Sequence, residues 1–190
     1  DRMRVDLPDP QVPAGRRLAD LTGSDGRTIV IQGPERIALT GPNGVGKTTL
    51  MEQLVPRPVI PGNDPGSQKT EASVGPLRAT ARVFTDRIGY LPQRLDGLDD
   101  RLSVLANVQE VAPDQPAGVL RNRLARFLLR GAAVERPVAT LSGGERFRVA
   151  LARVLLADPP AQLLVLDEPT NNLDLTSVEQ LVDALGAWRG

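Results

Sequence analysis

The sequence contains neither cysteine nor histidine. Without thiols there is no disulfide framework and no thiolate metal site, and without imidazole a further common metal ligand is absent. Chemistry here must rest on carboxylates, lysine, arginine and hydroxyls. Aromatic residues make up only 3% of the chain, and the first of them is Phe84. No apolar run approaches the roughly 20 residues that span a bilayer, and the N-terminus lacks the basic and apolar regions of a signal peptide. A soluble, cytoplasmic chain is expected. Net charge is also missing: 23 basic residues balance 23 acidic ones. No overall field draws the chain to nucleic acid, so such a partner would need a local basic face. The 190 residues, 41% hydrophobic and 24% charged, suffice for one sizeable domain and are few for two.

What is present is led by Gly41 to Thr48, GPNGVGKT, with a second threonine at Thr49. It satisfies the phosphate-loop pattern and lies between an apolar run that reads as a strand, residues 36–40, and a segment that starts a helix. Glycines let the backbone turn tightly and direct its N–H groups, with the helix N-terminus, at a phosphate anion. Lys47 then reaches the terminal phosphates and the Thr48 hydroxyl sits on Mg²⁺. The plainer alternative is a glycine-rich turn that only joins a strand to a helix.

Around that loop the pattern alternates between strand and helix. Met3, Val5 and Leu7 suggest an edge strand before a Pro-rich connector. Short strands are expected at residues 17–21 and 27–31, turning through Gly23 to Gly26. The helix after Lys47 is expected to be brief, because Pro56, Pro58 and Pro61 open a Pro/Gly/Ser-rich loop reaching about Pro76. Strand propensity returns at residues 80–84 and 87–91. Ser103 is placed to cap a helix, and Leu120, Leu124, Phe127 and Leu128 make one apolar helical face. Arg123, Arg126 and Arg130 repeat on another side, as a solvated row or as a contact for phosphate or RNA. Phe147, Leu151, Val154 and Leu155 face a core from a helix ending near Asp158. Leu163 to Leu166 reads as a strand covered on both faces, with Asp167 and Glu168 at its end. A last helix is expected from Thr176, with Glu179 completing a capping box and Val178, Leu181, Val182 and Leu185 buried. No strand follows it before Gly190, so a longer protein is expected.

Four stretches in this order resemble the nucleotide-binding domain of an ATP-binding cassette (ABC) protein: GPNGVGKT, the glutamine loop Tyr90-Leu91-Pro92-Gln93, the signature LSGGE at Leu141 to Glu145, and LLVLDEPTNNLD from Leu163 to Asp174. The resemblance implies an α/β fold, with a phosphate-loop NTPase core, an antiparallel β subdomain and a helical signature subdomain, its C-terminal strands lying beyond the chain. One domain of residues 1–190 is expected, divided into a lead-in (1–15), a β subdomain with the phosphate-loop core (16–93), a helical subdomain (94–140) and the signature helix with the acidic strand and last helix (141–190). The ligands implied are ATP and Mg²⁺. Gly41, Pro42, Asn43, Gly44, Val45, Gly46, Lys47, Thr48 and Thr49 would wrap the phosphates, while Thr48, Gln93 and Asp167 serve the metal. Glu168 would polarise the attacking water, with Lys47 and Gln93 completing the catalytic set. If Asp167 and Glu168 do not act so, they cap the turn after the strand.

In similar domains the signature acts in trans. Ser142, Gly143, Gly144 and Glu145 would face the γ-phosphate on a second cassette, in the same polypeptide or in a homodimer. The EPTNNLD wording, the Glu145 ending of the signature and the Pro-rich lead-in look most like the second cassette of an actinobacterial ABC-F protein. That branch comprises tandem ATPases that act on the ribosome, some protecting it from antibiotics. The motifs are shared by transporter ATPase subunits, and a module that binds ATP only to close a dimer would also carry them. The sequence departs from the family's pattern in two places. There is no switch histidine, which implies weak or no turnover by this chain alone. There is also no aromatic before the phosphate loop to stack adenine, which must rest on an arginine or aliphatic side chain near residues 16–31.

Overall fold

A computed structural model describes residues 7–42, 44–55, 79–95, 97–171 and 173–188. The expected edge strand around Met3 and Val5, the loop from Pro56 to Pro76, and Asn43 of the phosphate loop fall outside them. The chain divides into two compact units, Ala14–Asp86, and Asp1–Pro13 with Arg87–Gly190.

In the first unit β1 (Arg17–Thr22), β2 (Thr28–Gln32) and β3 (Thr80–Val83) form an antiparallel sheet in the order β2-β1-β3. The hairpin turns where the sequence places it, with the Gly23 N–H donating to the Arg27 carbonyl at 2.8 Å. Ala19 stands opposite Ile31 on one side and Val83 on the other. It is buried with Leu18, Leu21 and Ile31. Just past β3, the guanidinium groups of Arg17 and Arg82 lie 4.9 and 5.5 Å from the centre of the Phe84 ring, within cation–π range. Residues 36–40 correct an expectation. They form no strand among the described residues, and Ile37 and Leu39 are exposed. Alternation makes a segment competent for pairing, but a strand exists only with a ladder partner, which local sequence does not specify.

In the second unit β4 (Ile88–Leu91) and β5 (Leu163–Leu166) pair in parallel, Ile88 opposite Leu163 and Leu91 opposite Leu166. Leu163 and Val165 are buried, whereas Leu164 and Leu166 are half-buried, so cover is fuller on one face than on the other. The helices are α2 (Val104–Gln109), α3 (Ala117–Arg126), α4 (Gly143–Leu155) and α5 (Leu175–Ala187). Ser103 caps α2 as expected, its side chain accepting from the Ala106 N–H. Leu105, Val108, Leu120, Leu124, Phe127, Phe147 and Leu151 share one core with Leu91.

Two helical expectations shift. α3 ends at Arg126, and Leu128 turns left-handed at φ 62°. The Leu128 N–H then bonds the Ala125 carbonyl and the Leu129 N–H that of Leu124, a Schellman closure. Leu129 is therefore the buried residue, and Leu128 is only half-buried. Of the arginine row, Arg130 donates Nε to the Ala125 carbonyl at 3.1 Å, at the C-terminal end of the helix. α5 starts earlier than expected because Asp174, not Thr176, is its N-cap, accepting from the Ser177 N–H at 2.7 Å. The inward face becomes Ser177, Gln180, Leu181 and Ala184, and Val182 is exposed.

Gly89 of β4 sits close against Val154 of α4 and Leu164 of β5. A β-carbon there would lie 2.7 Å from Val154 Cγ1 and 2.8 Å from Leu164 Cδ2, inside van der Waals contact from both sides. Gly89→Ala is expected to destabilise the protein by about 1–3 kcal/mol, the usual cost of overpacking. Urea unfolding reads this as a lowered midpoint at unchanged slope.

Candidate functional site

The phosphate loop lies in the first unit. Gly44 and Gly46 have φ of 81° and 94°, values that L side chains rarely adopt, so the sharp turn into α1 (Lys47–Glu52) depends on glycine at both positions. Gly46 is the N-cap of α1 and has no side chain with which to occupy the first-turn N–H groups. Those donors are left for an anion. Gly41, Pro42, Gly44, Val45, Thr48 and Thr49 are exposed. Half-buried Lys47 curls over the loop, its Nζ donating to the carbonyls of Gly41 at 2.8 Å and Pro42 at 2.9 Å. The ammonium group is thereby held over the loop carbonyls, a charge that a polyphosphate would neutralise.

The acidic strand end lies in the second unit. β5 delivers Asp167 and Glu168 to the point where Pro92 and Gln93 leave β4, and the Asp167 N–H donates to the Leu91 carbonyl at 3.0 Å. Asp167 is only 1% exposed, and its Oδ1 has no hydrogen-bond partner among the described residues. A buried carboxylate oxygen without a donor is costly unless a cation or a metal-bound water meets it. No group of three or more acidic residues suited to a metal occurs among the described residues. This donor set suits Mg²⁺, which commonly takes one or two carboxylates and completes its shell with phosphate and water, rather than an ion that needs an all-protein cage.

Glu168 is half-buried and left-handed, at φ 45°, an uncommon conformation that marks many functional sites. Its Oε2 accepts from Gln93 Nε2 at 3.1 Å and also from Asn171 Nδ2. Gln93, Glu168, Asn171, Gly143 and Phe147 line one open cleft of about 180 Å³. Asn171 escaped the sequence reading; an amide three residues beyond the acidic pair, across a proline turn, was the available signal.

The signature forms the start of α4. Ser142 is the N-cap and Glu145 completes a capping box: Ser142 Oγ accepts from the Glu145 N–H at 3.3 Å, and the Ser142 N–H donates to Glu145 Oε2 at 2.8 Å. Ser142 and Gly143 are exposed. Hydrogen bonds from the Ser142 backbone, against partial desolvation, hold the Glu145 carboxyl below the usual glutamate range. A depressed carboxylate pKa stabilises the fold at pH above the ordinary glutamate value, and this contribution is lost as pH falls through the lower, folded value. Ser142→Ala is expected to cost about 1 kcal/mol of helix stability. Thermal melts at neutral pH should show that cost, and it should shrink at acid pH, where a protonated Glu145 draws less on the Ser142 hydroxyl that lies 2.9 Å from its Oε2.

A protein-family model described as "ABC transporter" matches residues 26–171, more than half of the chain. The Bacillus subtilis ATP-binding protein YdiF is 38% identical over 156 residues, which is 82% of this chain and 22% of that protein. ABC transporter F family member 3 of Arabidopsis thaliana is 35% identical over 156 residues, 82% of this chain and 19% of its own length. The chain thus spans about a fifth of the length of the curated relatives it matches. Among solved structures, cbiO1 from Clostridium perfringens, part of the ABC transporter complex cbiONQ, aligns with a TM-score of 0.59 at 22% identity, over 89% of this chain and 72% of that one. At that identity the likeness speaks for the fold, an ABC ATPase α/β fold with an antiparallel β subdomain. No helix among the described residues is long and apolar enough to cross a membrane. With the phosphate loop, glutamine loop, signature and acidic strand end all in place, the chain belongs to the ABC transporter family as an ATP-binding domain.

Proposed function

We propose that this chain is one ATP-hydrolysing cassette of a tandem ABC-F protein that acts on the ribosome, as a translation factor or in antibiotic protection. The observation that carries this reading is the run of F-family relatives at 32–35% identity. On this reading residues 1–190 form one cassette, with residues 1–15 as lead-in, 16–93 as the β subdomain and phosphate-loop core, 94–140 as the helical subdomain and 141–190 as the signature and acidic-strand part. Residues Gly41 to Thr49 hold the ATP phosphates, while Thr48, Gln93 and Asp167 serve Mg²⁺. When bound, the cation would supply the positive charge that offsets the charge developing on the phosphates during transfer. Glu168 orients and polarises the attacking water.

On this reading the start of α4, Ser142 to Gly144 with Glu145 closing the cap, serves the nucleotide of a second cassette through its first-turn N–H groups and the helix dipole. Alone, the 190-residue chain binds nucleotide and turns it over poorly, because those donors must come from the other cassette. The test is sedimentation of the intact protein, carrying Glu168→Gln to hold the ATP state, with ribosomes. ATP-dependent co-sedimentation is expected. Its absence, together with capture of a membrane permease, would overturn the ribosomal reading in favour of a transporter subunit.

A further inference from the structure

Glu168 is held from two sides that differ in kind. Asn171 is tied to it by side chain and backbone alike: its amide donates to Glu168 Oε2, and its N–H donates to the Glu168 carbonyl at 3.0 Å. The second bond closes the four-residue turn Glu168-Pro169-Thr170-Asn171, in which Pro169 restricts the backbone at the position where proline best presets a turn. Gln93 reaches the same Oε2 from 75 residues away in sequence. Gln93 is also the residue proposed for Mg²⁺, through its amide oxygen, so it serves two groups at once. The Asn171 bond carries no such second duty. Among the described residues Glu168 Oε1 takes part in no hydrogen bond, whereas Oε2 accepts two.

We infer that Asn171 is a positioning residue for hydrolysis: its amide anchors Oε2 of Glu168 while Oε1 receives the attacking water. This rests on the reading of Glu168 as the hydrolytic carboxylate. It gives a function to an exposed asparagine whose truncation would leave no core cavity. A carboxylate free to rotate spends less time aligned with its water, which lowers the rate of the chemical step and leaves nucleotide binding alone.

The test compares Asn171→Ala, the nearly isosteric Asn171→Asp and Glu168→Gln in the intact protein, reading kcat and KM for ATP and the melting temperature. Asn171→Ala is expected to lower kcat about 10-fold, the value of one charge-assisted hydrogen bond, with KM within about 2-fold. Asn171→Asp should lower kcat further, since it keeps the shape of the turn but sets a second carboxylate against Oε2. In the Glu168→Gln background, Asn171→Ala should reduce the residual rate no further. Unchanged kcat in both Asn171 variants, or losses that add fully to that of Glu168→Gln, would overturn the inference while leaving Glu168 in its role. A fall in melting temperature with a matching rise in KM would show a merely structural turn and overturn it as well. Full turnover in Glu168→Gln would remove the carboxylate reading itself, and the inference with it.

Discussion

A Glu168→Gln variant of the intact protein is expected to lose about 100-fold or more of its turnover while binding ATP within about 2-fold of the parent. The substitution preserves shape and removes charge. An amide oxygen can still accept hydrogen bonds from Gln93 and Asn171, so the cleft should keep its geometry. What goes is the anion that polarises water, and a neutral amide cannot take up a proton. The effect should be large because Glu168 is fixed on three counts: the end of β5, the left-handed backbone and the two donors on Oε2. Rapid-quench measurement of phosphate release, paired with equilibrium binding of a fluorescent ATP analogue, separates the two effects. Equal losses in binding and turnover would show that the site had been damaged rather than disarmed.

The second large effect is expected at Lys47. Lys47→Ala removes the ammonium that caps the loop carbonyls of Gly41 and Pro42. Hydrogen bonds to charged groups contribute about 1.5–3 kcal/mol, so ATP affinity should fall roughly 10- to 100-fold. Lys47→Arg should not restore it, because a planar guanidinium cannot fold over the loop as a compact ammonium does. Fold stability should change little, since Lys47 is only half-buried and its present partners are exposed backbone carbonyls that water can serve. Titration calorimetry with ATP and Mg²⁺ reads the loss directly. Affinity unchanged in Lys47→Ala would mean that phosphates are not held by this loop.

Much of this architecture could be read from local chemistry. The β1–β2 hairpin follows from a Gly-bounded turn between alternating segments, α2 from Ser103, and α4 from the apolar spacing of Phe147, Leu151 and Leu155. β5 was legible as an unbroken apolar run ending in two carboxylates. What failed depended on distant partners or on competition between neighbours. Residues 36–40 carry the alternation of a strand without a ladder partner among the described residues. At α5, Asp174 outcompeted Thr176 for the cap, and that shift exchanged Val182 for Ser177 and Gln180 on the inward face. At the end of α3 the burial passed from Leu128 to Leu129, because the chain closed through a left-handed residue that no glycine announced. The phosphate loop was proposed from its spacing, and the other motif residues from their resemblance to the ABC pattern. Spacing could not show that Asn171 turns back to hold Glu168, since that contact depends on the backbone turn at Pro169.

Single-turnover phosphate release by the intact protein, with and without Mg²⁺ and in parent and Glu168→Gln forms, isolates the hydrolytic step at Glu168. Release is expected to require Mg²⁺ and to be lost in Glu168→Gln while ATP stays bound. Release at the parental rate from the Glu168→Gln protein would contradict that role of Glu168.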